Sequence, residues 1–274
     1  MEPKLQLRVQ RYGWDAAAPH YHNDWADQLR PAQDTLLEMA NLQPGMSILE
    51  TACGTGMVTL RAAQAVGASG SVFATDLSGE MISQITNKCT DAGLSNVSFA
   101  RMGAEALDVA DDCYDMALCA LGLMYVPDPR QALAEMARAV RPGGKVVATI
   151  WGERRNCGWA EIFPIVDARV ASDVCPMFFA SGAPGILKMD FEAANLTDLH
   201  EVRQSEMLEF KNADVLNQAI TLGGPVAMAV KRFDADVMAQ VRTEFLSSVA
   251  KYLHANGSYL IPGEFVTICA TVSG

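Results

Sequence analysis

The stretch SILETACGTGMVTL, residues 47 to 60, runs an apolar segment into a Cys-Gly-Thr-Gly turn and then resumes with a second apolar pattern. MSILETA (46–52) reads as a buried strand, and an apolar-periodic helix follows from Gly56 to a stop at Gly67. Gly54 and Gly56 exclude side chains where something must come close to the backbone. A strand, a glycine turn and a helix set backbone N–H groups and a helix N-terminus at the carboxyl edge of a sheet. Open α/β folds bind ligands there.

The pattern repeats downstream. SVFATD (71–76) is a second strand, and Ser78 can cap a helix whose apolar face is Met81, Ile82, Ile85 and Cys89. NVSFARM (96–102) is a third strand. YDMALCALGL (114–123) is a fourth, nearly all apolar as a strand covered on both faces should be. Leu133, Met136, Ala137 and Val140 mark a further helix, RPGG (141–144) a turn, and KVVATIW (145–151) a fifth strand. Strand–helix alternation of this kind predicts an α/β protein with a doubly wound, mostly parallel sheet. Past residue 151 the pattern loosens: NCGWAEIFPIVDARV (156–170) and CPMFFASGAPG (175–185) are aromatic-rich and broken by Pro and Gly. LHEVRQSEMLEF (199–210) reads as a sixth strand, DVLNQAI (214–220) and residues 235–253 as helices, and EFVTICATV (264–272) as the last strand. No repeat, low-complexity tract or linker divides the chain, so it reads as one domain.

Bulk properties narrow the function. The 274 residues are 50% hydrophobic and 19% charged, ordinary for a globular enzyme and wrong for a disordered chain. A formal charge of −11 without a basic run argues against a nucleic-acid partner. The first residues, MEPKLQLRVQRYGW, have no apolar core of signal-peptide length, and no segment reaches the roughly 18 apolar residues of a membrane span. Seven cysteines without C-x-x-C spacing predict free thiols in a reducing cytoplasm. None of His20, His22, His200 and His254 pairs with nearby cysteines, so no metal is expected.

Two carboxylates flank the glycine turn. Glu50 ends the first strand, and Asp76 ends the second, beside it, where a carboxylate can accept from both hydroxyls of a ribose. The dinucleotide fingerprint G-x-G-x-x-G fails, because Thr59 stands at its third glycine. Glu50 is awkward for a diphosphate and suits a cationic amino group. A nucleoside bearing an amine therefore fits better than NAD(P). An NAD(P)-dependent oxidoreductase would show the third glycine, no Glu50 and a Tyr-x-x-x-Lys relay. A non-catalytic binder of the same nucleoside is the other alternative.

In order along the chain, ILETACGTG (48–56), FATDLSGEMI (73–82), MGAEAL (102–107), YDMALCALGLMYVPDP (114–129) and RPGGKVVATIW (141–151) resemble the motifs of class I S-adenosylmethionine-dependent methyltransferases. Their spacing is similar to the small-molecule, UbiE-like (type 11) branch over about residues 12 to 151, and less sharply in the C-terminal region. The resemblance implies a seven-stranded Rossmann-like methyltransferase fold with helical insertions forming a substrate cap, and S-adenosyl-L-methionine as cofactor. It implies Glu50 at the methionine amino end, and Ala52, Cys53, Gly54 and Gly56 close around the methionine tail. Asp76 would take the ribose diol, Leu77 and Met81 would line the adenine, and Ala104 and Glu105 would border it. Leu121 would end the fourth strand beneath the sulfonium, and Tyr21, in GWDAAAPHYHNDW (13–25), would cover the cofactor. On this reading residues 1–43 are cofactor-covering helices, 44–151 the cofactor-binding core, 152–199 and 211–255 substrate-cap insertions, and 256–274 the last strand. Two departures stand out. Ala52 replaces the first motif glycine, tolerable if the backbone there is strand-like, and Gly103 stands where many members place an Asp beside the adenine amine.

Methyl transfer from a sulfonium is an in-line displacement that alignment and exclusion of water can drive without a fixed acid or base. No catalytic residue is therefore demanded. His20 and His22 are the candidates for deprotonating an acceptor, against the plainer reading of surface or capping histidines. Residues 119–124, CALGLM, lack the Asn/Asp-Pro-Pro-aromatic motif of base-amine methylases. The expected acceptor is a small, fairly apolar molecule, with Met124, Trp151, Trp159 and Phe178 as pocket candidates and Phe179 beside them. Arg154 and Arg155 are candidates for a substrate carboxylate. Oligomeric state has no signal in the sequence.

Overall fold

The computed structural model describes residues 3 to 170 and 178 to 274; Cys175 to Met177 of the aromatic-rich segment lie outside them. Among the described residues seven strands form one sheet: β1 Ser47–Thr51, β2 Ser71–Asp76, β3 Val97–Arg101, β4 Tyr114–Ala120, β5 Val140–Trp151, β6 Leu196–Phe210 and β7 Tyr259–Val272. The helices are α1 Pro3–Ala40, α2 Thr59–Val66, α3 Gly79–Asp91, α4 Pro129–Ala139, α5 Ile162–Asp167, α6 Ile186–Ala193, α7 Ala213–Thr221, α8 Ala227–Val230 and α9 Ala235–Ser248. The sheet order is β3-β2-β1-β4-β5-β7-β6. β1 to β5 run parallel, and β7 lies antiparallel between β5 and β6. The expected doubly wound, mostly parallel seven-stranded sheet is present.

Period-two alternation sets the two cores. In β1, Ile48 belongs to the core that includes Leu36, Val72 and Ile85, whereas Leu49 belongs to the separate core that includes Ala117, Val146 and Ile268. Helix starts follow their side-chain caps. Ser78 Oγ accepts from Met81 N at 3.2 Å, and Asp128 accepts from Gln131 N ahead of Pro129.

Several boundaries move, each for a physical reason. The helix after the glycine turn starts at Thr59, because residues 52 to 56 hold three left-handed backbones, at Ala52, Gly54 and Gly56. RPGG is a bulge inside β5, where the β4 register shifts between Tyr114 and Met116, and Gly143 takes φ +79°. β6 and β7 start at Leu196 and Tyr259, ahead of the expected 199 and 264, because they pair with each other along almost their whole length. The helix expected to end at 253 stops at Ser248 and passes into a 3₁₀ turn at Ala250–Tyr252.

The expected N-terminal helices are one 38-residue helix with Pro19 and Pro31 inside it. Its buried stripe of Ala18, Trp25, Leu29, Ala32, Leu36 and Ala40 recurs every three to seven residues and holds it against the fold despite the prolines. α7 and α8 pack on α1, and α9 packs on α5 and α7. α6, inside a segment expected to form the cap, instead lies on α4 and β6 as the crossover into β6. Glu264 of β7, 6% exposed, accepts from Glu153 N, Asn156 Nδ2 and Arg203 Nη1 at 2.8, 3.0 and 2.8 Å, and so ties the loop after β5 to the sheet. No helix among the described residues is long and apolar enough to cross a membrane, and none of their His, Cys, Asp and Glu groups is arranged to hold a metal ion.

Candidate functional site

Three adjoining cavities open at the carboxyl ends of β1, β2 and β4. The first, about 670 Å³ and partly open to solvent, is lined by Tyr21, Ala52, Gly54, Asp76, Leu77, Met81, Ala104 and Leu121 among others. The second, narrow one carries Met124, Trp151, Trp159 and Phe178. The third, also narrow, carries Glu50 and Cys53. Tyr21 and Leu121 border all three.

The turn owes its shape to its backbone. Gly54 has φ +54°, and its N–H donates to Asp76 Oδ2 at 2.9 Å, so the turn and β2 are locked together. Ala52 corrects an expectation: its φ is +52°, in the left-handed region, not strand-like. The Ala there is strained, as a glycine would not be. Gly56 corrects another. It lines none of the three cavities, and a Cβ on it would sit 1.7 Å from Ile85 Cδ1, so the neighbour that excludes a side chain is α3. Glu105 also misses the cavities: its Oε1 accepts from Asp128 N at 2.8 Å, which turns it toward the start of α4. Leu121 has φ +60°, and its N–H is held by Thr149 O at 2.7 Å. A left-handed leucine where three cavities meet is the kind of strain that gathers at functional sites.

Buried charge is concentrated here. Glu50 is 1% exposed and its Oε2 has no hydrogen-bond partner among the described residues. Burial pushes its pKa up to about 8, with the Thr59 hydroxyl pulling down and the Asp76 charge adding to the rise. Burial also pushes Asp76 up to about 6, against the Ser78 and Gly54 N–H groups that favour its charged form. The Tyr21 phenol is raised by burial and then by Asp76.

Other candidates fall elsewhere. His20 and His22 line none of these cavities; His22 Nδ1 lies 3.0 Å from Thr55 Oγ1, and burial lowers its pKa. Arg155 pairs with Glu153 at 2.9 Å and Arg154 with Glu161 at 3.6 Å, so neither reaches the chambers. Residues the sequence reading passed over include Leu7, Gln10 and Trp14 of α1, Met102, and the Tyr125-Val126 turn in the first cavity. Trp25, Leu29 and Gly223-Gly224-Pro225 line the second. The seven- and eleven-residue steps from Trp14 to Tyr21 and Trp25 put three aromatics along one side of α1, a signal visible in the sequence once a helix is assigned there.

Residues 48–144 match a methyltransferase domain family. A demethylmenaquinone methyltransferase of Shouchella clausii is 38% identical over 126 residues, covering 46% of this chain and 51% of that protein. The ubiquinone/menaquinone biosynthesis C-methyltransferase UbiE of Shewanella oneidensis is 38% identical over 135 residues, 49% of this chain and 54% of its own. The chain thus spans about half the length of the curated relatives it matches. Among solved structures, the YcgJ protein from Bacillus subtilis superposes with TM-score 0.62 at 17% identity, covering 89% of this chain and all of its own. A Haemonchus contortus phosphoethanolamine N-methyltransferase 2, solved with S-adenosyl-L-methionine, gives 0.63 at 13% identity, over 95% of this chain and 57% of its own. The sheet order and these likenesses define a Rossmann-like methyltransferase fold. Residues 48–144 thus carry a methyltransferase domain, and the likeness to the UbiE-type relatives runs through that half of the chain.

Proposed function

We propose that the protein transfers the methyl group of S-adenosylmethionine to a small, planar, largely apolar acceptor. The observation that carries this reading is the junction at Tyr21 and Leu121, the walls common to an open cleft ending at Asp76, an acid-lined pocket and an aromatic chamber. Glu50, with an orphaned oxygen in a buried pocket, suits the cofactor's ammonium group, and Asp76 suits the ribose diol. Leu77, Met81 and Ala104 supply an apolar slot for the adenine. S-adenosylmethionine supplies an electrophilic methyl group on a sulfonium. What the chain contributes is alignment and dryness: Tyr21 and Leu121 hold the junction, and Trp151, Trp159 and Phe178 keep water from the acceptor side.

The relatives' names favour a quinol-type acceptor within this class, which matches a chamber walled by aromatic rings. The acidic surface charge favours a small molecule over nucleic acid. The free thiols at Cys53, Cys89, Cys113, Cys119, Cys157 and Cys269 favour the cytoplasm. Calorimetry is expected to show S-adenosylhomocysteine binding in the micromolar range or tighter, and no comparable binding of NAD(H). Asp76→Ala should weaken it by about 1–3 kcal/mol. NAD(H) binding in place of S-adenosylhomocysteine would overturn the reading. Labelled methyl transfer to a panel of phenols, quinols, amines and carboxylates is expected to mark the phenols or quinols. Loss of every transfer with intact cofactor binding would favour a non-catalytic binder.

A further inference from the structure

The opening turns of α1 carry a charge pattern that the methyl-transfer reading leaves unused. Residues 3–14, PKLQLRVQRYGW, contain Lys4, Arg8 and Arg11 and no acid, in a chain whose formal charge is −11. Lys4 and Arg8 are exposed. Large apolar side chains share the surface with them, since Leu5 is 40% exposed and Tyr12 50%. Apolar residues scattered singly over a surface are ordinary, but these two stand on one face of one helix. At about 100° per residue, Leu5 and Tyr12 fall within about 20° of each other, with Lys4, Arg8 and Arg11 along one side. The other side meets α8, where a Cβ on Gly13 would lie 3.7 Å from Met228 Cβ. Lys231 and Arg232, just past α8, are exposed as well. The apolar pair is thus flanked by cations on both sides. Leu7, Gln10 and Trp14, which line the first cavity, occupy a different face of the same turns.

Most of these cations have no partner within the fold. Elsewhere arginines pair with carboxylates, as Arg61 does with Asp34, Arg138 with Glu135 and Arg242 with Asp214. Among the described residues Lys4, Arg8, Lys231 and Arg232 pair with none. Arg11 reaches Asp15 only at 4.0 Å, and its guanidinium lies over the Tyr12 ring, 5.4 Å from the centroid. Asp15 accepts from Ser78 Oγ at 2.6 Å, which draws that carboxylate toward α3.

We propose that this face docks on an anionic lipid surface, with Leu5 and Tyr12 entering the headgroup layer. Lys4, Arg8, Arg11, Lys231 and Arg232 then meet lipid phosphates. A helix face that mixes basic and apolar side chains fits the boundary between water and acyl chains. Long basic stems bury their carbons there and keep the charge at the phosphates. A flat surface is favoured over an extended polyanion, because the rest of the chain is acidic and only this face is attracted. The consequence for catalysis rests on the proposed function: a largely apolar acceptor concentrates in lipid, and docking brings the protein to it. The docking itself does not depend on that reading.

The test is sedimentation of the full chain with phosphatidylcholine vesicles containing about 30% phosphatidylglycerol, against vesicles of phosphatidylcholine alone. Binding is expected to the anionic vesicles only, falling at least tenfold as salt rises from about 50 to about 500 mM. Lys4→Glu with Arg8→Glu should weaken it about twentyfold or more, at roughly fivefold per charge. Lys211→Glu with Lys251→Glu, the same charge change on exposed residues elsewhere, should alter it less than about threefold. Leu5→Ser with Tyr12→Ser should weaken it roughly tenfold. Equal losses for the two charge-reversal pairs, equal binding to neutral vesicles, or no binding to anionic vesicles at low salt would overturn the proposal. Polyglutamate binding as tightly as the vesicles would make the partner an acidic protein and overturn it too. The measurement uses no cofactor, so its failure is distinct from a failure to bind S-adenosylhomocysteine, which would overturn the proposed function instead.

Discussion

Glu50 illustrates how much a single side chain is asked to tolerate. Its ordinary pKa of 4.5 is raised to about 8 by burial, so across that window the folded chain keeps a proton that the unfolded chain has released. Glu50 therefore erodes stability as pH rises from about 4.5 to 8, and Glu50→Gln should raise the melting temperature more at pH 8 than at pH 5. The same variant should weaken S-adenosylhomocysteine binding. In the unmodified protein, binding near pH 7 should release a proton as the ligand's ammonium favours the carboxylate, visible as a calorimetric enthalpy that changes with buffer. Ala52 is a second strained residue, at φ +52°. Ala52→Gly should stabilise the protein by about 1 kcal/mol in chemical denaturation, the cost of an L-residue held left-handed. The places of Glu50 and Asp76 at neighbouring strand ends, where each lines a cavity, were legible in the sequence. The strain at Ala52 was not, because the sequence shows the residue and not its φ.

Among the elements, the turn between β1 and α2 is constrained from two sides. Gly54 is tied to β2 through Asp76, whereas Gly56 faces Ile85 of α3. Gly56→Ala should cost about 2–4 kcal/mol in urea unfolding, from overpacking against Ile85 together with φ +83°. Its effect on cofactor affinity should be secondary. The two glycines are thus required for different reasons, which only packing across the fold distinguishes. α1 teaches a related lesson. Two internal prolines read locally as breaks, but a buried stripe from Ala18 to Ala40 keeps one helix running over the site and delivers Trp14, Tyr21 and Trp25 to it.

On the scale of the whole molecule, the aromatic chamber depends on a loop pinned from the far edge of the sheet. Glu264 of β7 holds that loop and receives Arg203 of β6. Burial alone would raise its pKa, but the Glu153 N–H, the Asn156 amide and the Arg203 guanidinium together hold it below 4.5. Its contribution is present at neutral pH and is lost as pH falls through that lowered value. Arg203→Met should cost about 2–4 kcal/mol at pH 7, near the low end for breaking a buried pair because two donors remain. That cost should shrink on acidification, as denaturation curves at pH 7 and pH 4 would show. The sequence by itself determined the strand–helix alternation, the glycine turn and the carboxylates at the strand ends, because periodicity and turn chemistry are local. Only the tertiary structure decided that Gly56 serves packing, that Glu105 turns away, and that Tyr21 and Leu121 join three cavities. Those facts depend on which distant side chains meet, and burial is a property of the assembled fold.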